Sequence, residues 1–207
     1  MQIDLYIPPK AQELLDHWFG DGLSRGWPSE SRQALWFGFN PEQDEDLRQR
    51  FGPLVDEAID GGLGEWADAL PALLALVLLL DQLPRNLFRR QARAFAGDPR
   101  AVSLVKAALA TGGDRRLPLV GRVFFYMPLM HSESLADQDA CVRLFEALRA
   151  EAPAEREQDI ENNLRFAREH RDTVQRFGRF PHRNATLGRA NTPEEDEFLR
   201  DGPRYGQ

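Results

Sequence analysis

Three short stretches collect side chains that can move protons or hold anions. The first is Asp81-Gln82-Leu83-Pro84-Arg85-Asn86. The second runs from Tyr126 through Met127, Pro128, Leu129, Met130, His131 and Ser132 to Glu133, with Gln138 beyond. The third is FGRFPHRNATLGR, from Phe177 to Arg189, with His170 one helical face above it. The first and third echo each other, as LPRN at Leu83–Asn86 and FPHRN at Phe180–Asn184. In each, an apolar residue and a proline are expected to stop a helix before Arg and Asn follow. Two such pairs suit one anionic ligand, Arg offering a two-pronged donor and Asn an orienting amide. The competing reading is local: Asn caps, and Arg ion-pairs with Asp81 or a Glu to lock the turn, since buried polar groups normally find partners.

His131-Ser132-Glu133 sets an imidazole two residues from a carboxylate. The pair suits a general base and its orienting acid, or, with His170 and His182, a metal site. No HExxH, CxxC or His-x-His pattern occurs and the histidines lie far apart. The metal reading therefore ranks below a His at a helix boundary, bonded to Glu133 or to backbone. Candidate catalytic residues are His131, Glu133 and Asp81. No cofactor is expected, because nucleophile elbow, phosphate-binding glycine loop and dinucleotide fingerprint are all missing. Cys141 has no evident activator and reads as a small buried hydrophobe.

The elements that must position these groups start with the uncharged run Leu70–Leu80. A bilayer span needs about 20 residues, so the run reads as a helix apolar on all sides and central to the core. It is expected to start near Pro71, break at Leu83-Pro84 and resume near Arg85. Upstream, Ala11, Leu14, Leu15, Trp18 and Phe19 recur at helical spacing. Asn40 caps a second helix with Pro41 at its first position, and Pro53 should bend or split it. Downstream, Asp98-Pro99 opens a helix, Leu119–Tyr126 forms one ended by Pro128, and Ser134 starts another. The longest runs from about Ala154 to Phe177, and Thr192-Pro193-Glu194-Glu195 has the pattern of a capping box. Nothing alternates with period two. The chain is read as one all-α domain over 1–207, about eight to ten helices stacked antiparallel with short loops and no regular sheet.

With 42% hydrophobic residues the chain is globular rather than disordered. A formal charge of −7 argues against a nucleic-acid binder. The 26 basic residues are Arg apart from Lys10 and Lys106. The single cysteine excludes an internal disulfide and fits a reducing cytoplasm. MQIDLYIPPKAQEL lacks a basic and an apolar leader region, so neither secretion nor a membrane is expected. Trp and Phe side chains around residues 18 to 37 are candidates for a dimer contact.

At the same three stretches the sequence resembles the bacterial family known as domain of unknown function 924. The resemblance rests on LALVLLLDQLPRNLFR with AFAGDPRA, on FFYMPLMHSESLADQ, and on FGRFPHRNATLGRANTPEEDEFL, and spans about residues 18–199. It implies a tetratricopeptide-like helical fold and no established activity. The family's signature falls here on Asp81, Gln82, Arg85, Asn86, His131, Glu133, Gln138, His170, Arg179, His182, Arg183, Asn184 and Arg189. The leading expectation is a concave face gathering Arg85, Asn86, His131, Arg183 and Asn184 around a small anionic ligand or an acidic peptide end. Its rivals are an enzyme using His131 as acid or base, and a scaffold whose polar motifs only pin helix junctions.

Overall fold

The computed structural model describes residues 6–202; residues 1–5, where the segment read for a leader begins, and 203–207 lie outside the description. Ten helices follow one another: α1 (Pro9–Phe19), α2 (Gly22–Arg25), α3 (Gln33–Phe37), α4 (Pro41–Ile59), α5 (Leu70–Leu87), α6 (Asp98–Ala110), α7 (Leu119–His131), α8 (Leu135–Glu151), α9 (Glu157–Phe177) and α10 (Pro193–Asp201). Short 3₁₀ turns join several of them, and no strand occurs among the described residues. The fold is all-α.

Helix α5 owes its place to its composition. Ala72 and every residue from Leu74 to Asp81 are sealed from solvent, so neighbours must cover all sides. α1 packs on its first half, α4 on its last turns, and α6 and α7 along its length. By length and apolarity Leu70–Leu87 could cross a membrane, yet 83% of it is buried inside the protein. It is a core helix. α7, α8 and α9 then pack in succession, the short links between them making neighbours antiparallel.

Prolines behave differently from the sequence expectation. Pro84 does not break α5. A proline removes one backbone donor and its ring strikes the carbonyl four residues back, here Leu80. The chain widens into a π-turn over Leu78–Gln82, closed by Leu83 N–H donating to Leu78 O, and the helix continues to Leu87. The Leu80 carbonyl is thereby turned towards Gly97, where a side-chain carbon would collide with it. Pro128 likewise does not end α7, which runs on to His131, and Pro53 sits inside an unsplit α4. A proline costs an isolated helix about 3 kcal/mol or more, but burial of Phe124, Phe125, Leu129 and Met130 around Pro128 outweighs this.

The caps follow the sequence reading. Asn40 Oδ1 accepts from the N–H groups of Glu42 and Gln43, and Ser134 accepts from Asp137. Thr192 and Glu195 close a reciprocal capping box. Trp18, Phe19 and Trp36 belong to the core; only Phe37 of the aromatics considered for a dimer is largely exposed.

Gly97→Ala is expected to destabilise the protein by about 1–3 kcal/mol, the usual cost of overpacking a tight site. Urea unfolding measures it. An unchanged midpoint would mean that the Leu80 carbonyl is not held against α6.

Candidate functional site

The π-turn delivers Asp81 and Gln82 to the interior end of α5, with Arg85 one turn on. Asp81 is fully buried. Its Oδ1 lies 2.8 Å from His131 Nδ1 and 3.2 Å from Arg85 Nη1, and its Oδ2 accepts from Gln82 Nε2 at 2.5 Å. Arg85 also donates to the Asp81 carbonyl at 2.5 Å and places its fork on Asp98, at 2.9 and 3.0 Å. Asp98, at the start of α6, receives Arg183 at 3.4 Å as well. The Arg183 guanidinium lies 4.6 Å from the ring centres of both Phe95 and Phe180. A parallel arrangement stands beside it. Asp44 of α4 accepts from Asn86 Nδ2 at 2.9 Å and from Arg89 Nε at 2.8 Å. Three aspartates thus balance three arginines.

Protonation follows from these neighbours. Burial alone would raise the Asp81 carboxyl, but Arg85, His131 and the hydrogen bonds hold it well below the usual range. Burial and the nearby Arg85 charge push His131 down from its ordinary value, against the opposing pull of Asp81. Near neutral pH His131 is therefore an uncharged imidazole beside a carboxylate. Since Asp81 only accepts, the proton is assigned to Nδ1, leaving a lone pair on Nε2. That nitrogen makes no hydrogen bond to any described residue and stands open to the cleft that His131 lines.

The cleft has a volume of about 490 Å³, within the range of small-molecule sites. Trp27, Trp36, Phe37, Val123, Phe124 and Met127 make an apolar wall. Phe37 lies parallel to Phe124, the planes at 8° and the centres 6.2 Å apart. Gln82, Arg85, Asn86, Arg89 and His131 add polar groups, and Asp159, Asn162, Asn163, Arg165, Phe166 and His170 of α9 complete the lining. Among the described residues no three His, Cys, Asp or Glu side chains group to hold a metal ion.

Residues 14–203 match the model of a family described as bacterial protein of unknown function, DUF924. The chain belongs to this family. A solved structure of a protein of unknown function from Agrobacterium tumefaciens is 36% identical, covers 93% of this chain and 97% of its own, and superposes with a TM-score of 0.76. No curated protein matches.

In this DUF924 chain the thirteen residues singled out in the sequence divide by location. Gln82, Arg85, Asn86, His131 and His170 line the cleft, with Asp81 directly behind His131. The carboxylate that holds His131 is Asp81, not Glu133. Glu133 accepts from Phe180 N–H at 2.8 Å and from both prongs of Arg189, at 2.7 and 2.9 Å. Gln138 donates to the Met130 and Ser132 carbonyls at 2.6 and 2.7 Å. Arg179 forks onto Glu195 at 2.7 Å with each prong, and Asn184 donates to Asn191 and Glu195. These five residues pin the turn after α7 and the segment before α10. Arg183 sits behind Asp98 and Asn184 is fully buried, so neither reaches the face where they were expected to join Arg85. His182 packs beside Phe180, ring centres 5.5 Å apart. The echo between LPRN and FPHRN also fails structurally: Pro84 lies within a helix, whereas Pro181 starts a 3₁₀ turn.

Sequence reasoning passed over the aromatic wall, which reads as core at helical spacing, and Arg89. Of the α9 residues in the lining it singled out His170 alone and passed over Asp159, Asn162, Asn163 and Phe166, which lie four residues, or sums of three and four, from it along the same helix face.

Two outcomes follow. Asp98→Asn removes the charge that two buried guanidinium groups share, and loss of one partner of a buried pair costs about 3–5 kcal/mol; chemical unfolding should show it, and a loss under 1 kcal/mol would mean that solvent already screens the cluster. His170 is held neutral by burial, its pKa pushed down to about 3, with Nδ1 2.8 Å from the Phe166 carbonyl. Unfolding frees it to bind a proton at its ordinary value of 6.5. The unfolded state then binds more protons, so stability falls as pH drops from about 6.5 towards 3. Between pH 7 and 5 His170 should account for a loss of about 2 kcal/mol, measurable as a flatter pH dependence in His170→Gln. Equal slopes in both proteins would contradict a neutral buried imidazole.

Proposed function

We propose that the cleft binds a small organic acid with a flat apolar body. Support comes first from the division of its surface. Trp36, Phe37 and Phe124 offer ring faces and edges to a planar group, where aromatic pairs add about 0.5–1.5 kcal/mol beyond area burial. At the other end, Arg85, Arg89, Asn86 and the open His131 Nε2 supply directional polar contacts. The observation that carries the proposal is the joining of aromatic rings with guanidinium, amide and imidazole groups in the lining of one small-molecule-sized cleft. Arg85 and Arg89 are already answered by aspartates, while Arg165, which also lines the cleft, lies over the Phe166 ring. A single carboxylate needs only the guanidinium and amide donors that the aspartates leave unused. The volume suits a small molecule better than an acidic peptide. The succession of antiparallel neighbours α7, α8 and α9 supports a tetratricopeptide-like reading of the fold, with the cleft on its inner side.

The test is thermal unfolding with phenylacetate, phenylpyruvate and indoleacetate, against inorganic phosphate and citrate. A ligand at one hundred times its dissociation constant adds about 2.7 kcal/mol, worth roughly 5–10 °C at this chain length. Aromatic acids should raise the midpoint in the native protein and less so in Phe37→Ala, a rim change with little cost to the core. Shifts by phosphate or citrate alone would overturn the reading, as would aromatic shifts that ignore Phe37.

A further inference from the structure

We infer that His131 is the general base of a proton-transfer reaction in this cleft, removing a proton from the carbon next to the carbonyl of a bound 2-oxo acid. The inference rests on the binding site proposed above and assigns it an activity.

Three observations carry it. The Asp81–His131 pair has the geometry of an oriented base: the carboxylate fixes Nδ1 at 2.8 Å, and Nε2 is left open to the cleft. A pair that only pinned α7 to α5 would have no need to present that nitrogen to solvent. Second, the cleft lining contains no Ser, Thr, Cys, Lys or Tyr. With no hydroxyl, thiol or amine nucleophile in it, the lining offers His131, His170, Asp159 and its arginines, groups suited to acid–base transfer and charge stabilisation. Third, the charges are arranged for the product of that step. Asp81 sits against the imidazolium that would form, while Arg85 and Asn86 stand at the same end to hydrogen-bond an oxygen gaining negative charge.

The step balances without a co-reactant. The C–H bond breaks, its proton moves to Nε2, and its electron pair becomes a C=C bond as the carbonyl oxygen takes the charge. The imidazolium then returns the proton to that oxygen, giving the enol; the reverse sequence restores the keto form. His131 is neutral again at the end.

Phenylpyruvate is a direct probe, because its enol and keto forms differ in ultraviolet absorbance. Native protein should speed their interconversion at least a hundredfold over His131→Gln, the low end of what general-base catalysis contributes. Phenylpyruvate should raise the unfolding midpoint of both proteins, since the Gln side chain keeps a polar group at the site. If it stabilises both but is interconverted equally, His131 is not the base and the binding proposal stands. If it stabilises neither, the binding proposal fails and the base assignment fails with it. A second measurement is independent of substrate. Diethyl pyrocarbonate transfers its ethoxycarbonyl group to an accessible neutral imidazole nitrogen, and peptide mass mapping should find His131 among the first sites modified and protected by phenylpyruvate. An unmodified His131 would show that Nε2 is not presented to the cleft and would overturn the inference.

Discussion

The structure depends on one carboxylate. Asp81 is fully buried at the end of the most apolar helix, where an uncompensated charge would cost several kcal/mol. Compensation recruits Gln82 and Arg85 from α5 itself and His131 from the end of α7. Arg85 brings charge of its own, which draws Asp98 at the start of α6; Asp98 in turn holds Arg183 from the chain after α9. Satisfying one acid therefore fixes the relative positions of three helices and the segment before α10. The aromatic rings of Phe95 and Phe180 complete the chain of contacts around Arg183.

The π-turn makes this possible. Five residues in a wide turn shift the phase of everything after Leu78, so that Pro84 is accommodated without ending the helix. Such turns are rare and are often found at functional sites. Here its effect is plain in atoms. The Leu80 carbonyl is directed at Gly97, which seats the start of α6 and therefore Asp98, while Asp81 and Arg85 remain one turn apart and pair with each other, Arg85 reaching Asp98 as well.

Much of this was legible in the sequence, and the failures have physical causes. The length and apolarity of Leu70–Leu80, the caps at Asn40, Ser134 and Thr192, and the absence of period-two alternation specify an all-α chain with α5 at its centre. The polar stretches were identified because Asp, Arg and His beside long apolar runs are costly unless partnered. What local pattern cannot reveal is the partner. Glu133 lies two residues from His131 yet faces Arg189, while Asp81, fifty residues away, takes the imidazole. The prolines misled for a related reason: their penalty is local, and burial of the surrounding apolar side chains decides whether the helix continues. The aromatic wall was hidden because Trp36 and Phe124 are both core residues and cleft residues.

That a network pins helices does not explain why it is ionic. Hydrophobic side chains of matching volume often replace a buried ion-pair network with no loss, and sometimes with a gain of 1–4 kcal/mol. Stability alone is thus a weak reason for placing Asp81, Arg85, Asp98 and Arg183 together. The same groups have an effect that an apolar cluster could not reproduce. They orient a neutral imidazole, leave its second nitrogen open, and balance positive with negative charge around it. Glu133, Gln138, Arg179, Asn184 and Arg189 differ in kind, because each of them is matched to a backbone or side-chain partner at a junction and none lines the cleft. The division separates residues that tie down junctions away from the cleft from those, centred on His131, that hold an imidazole at its lining.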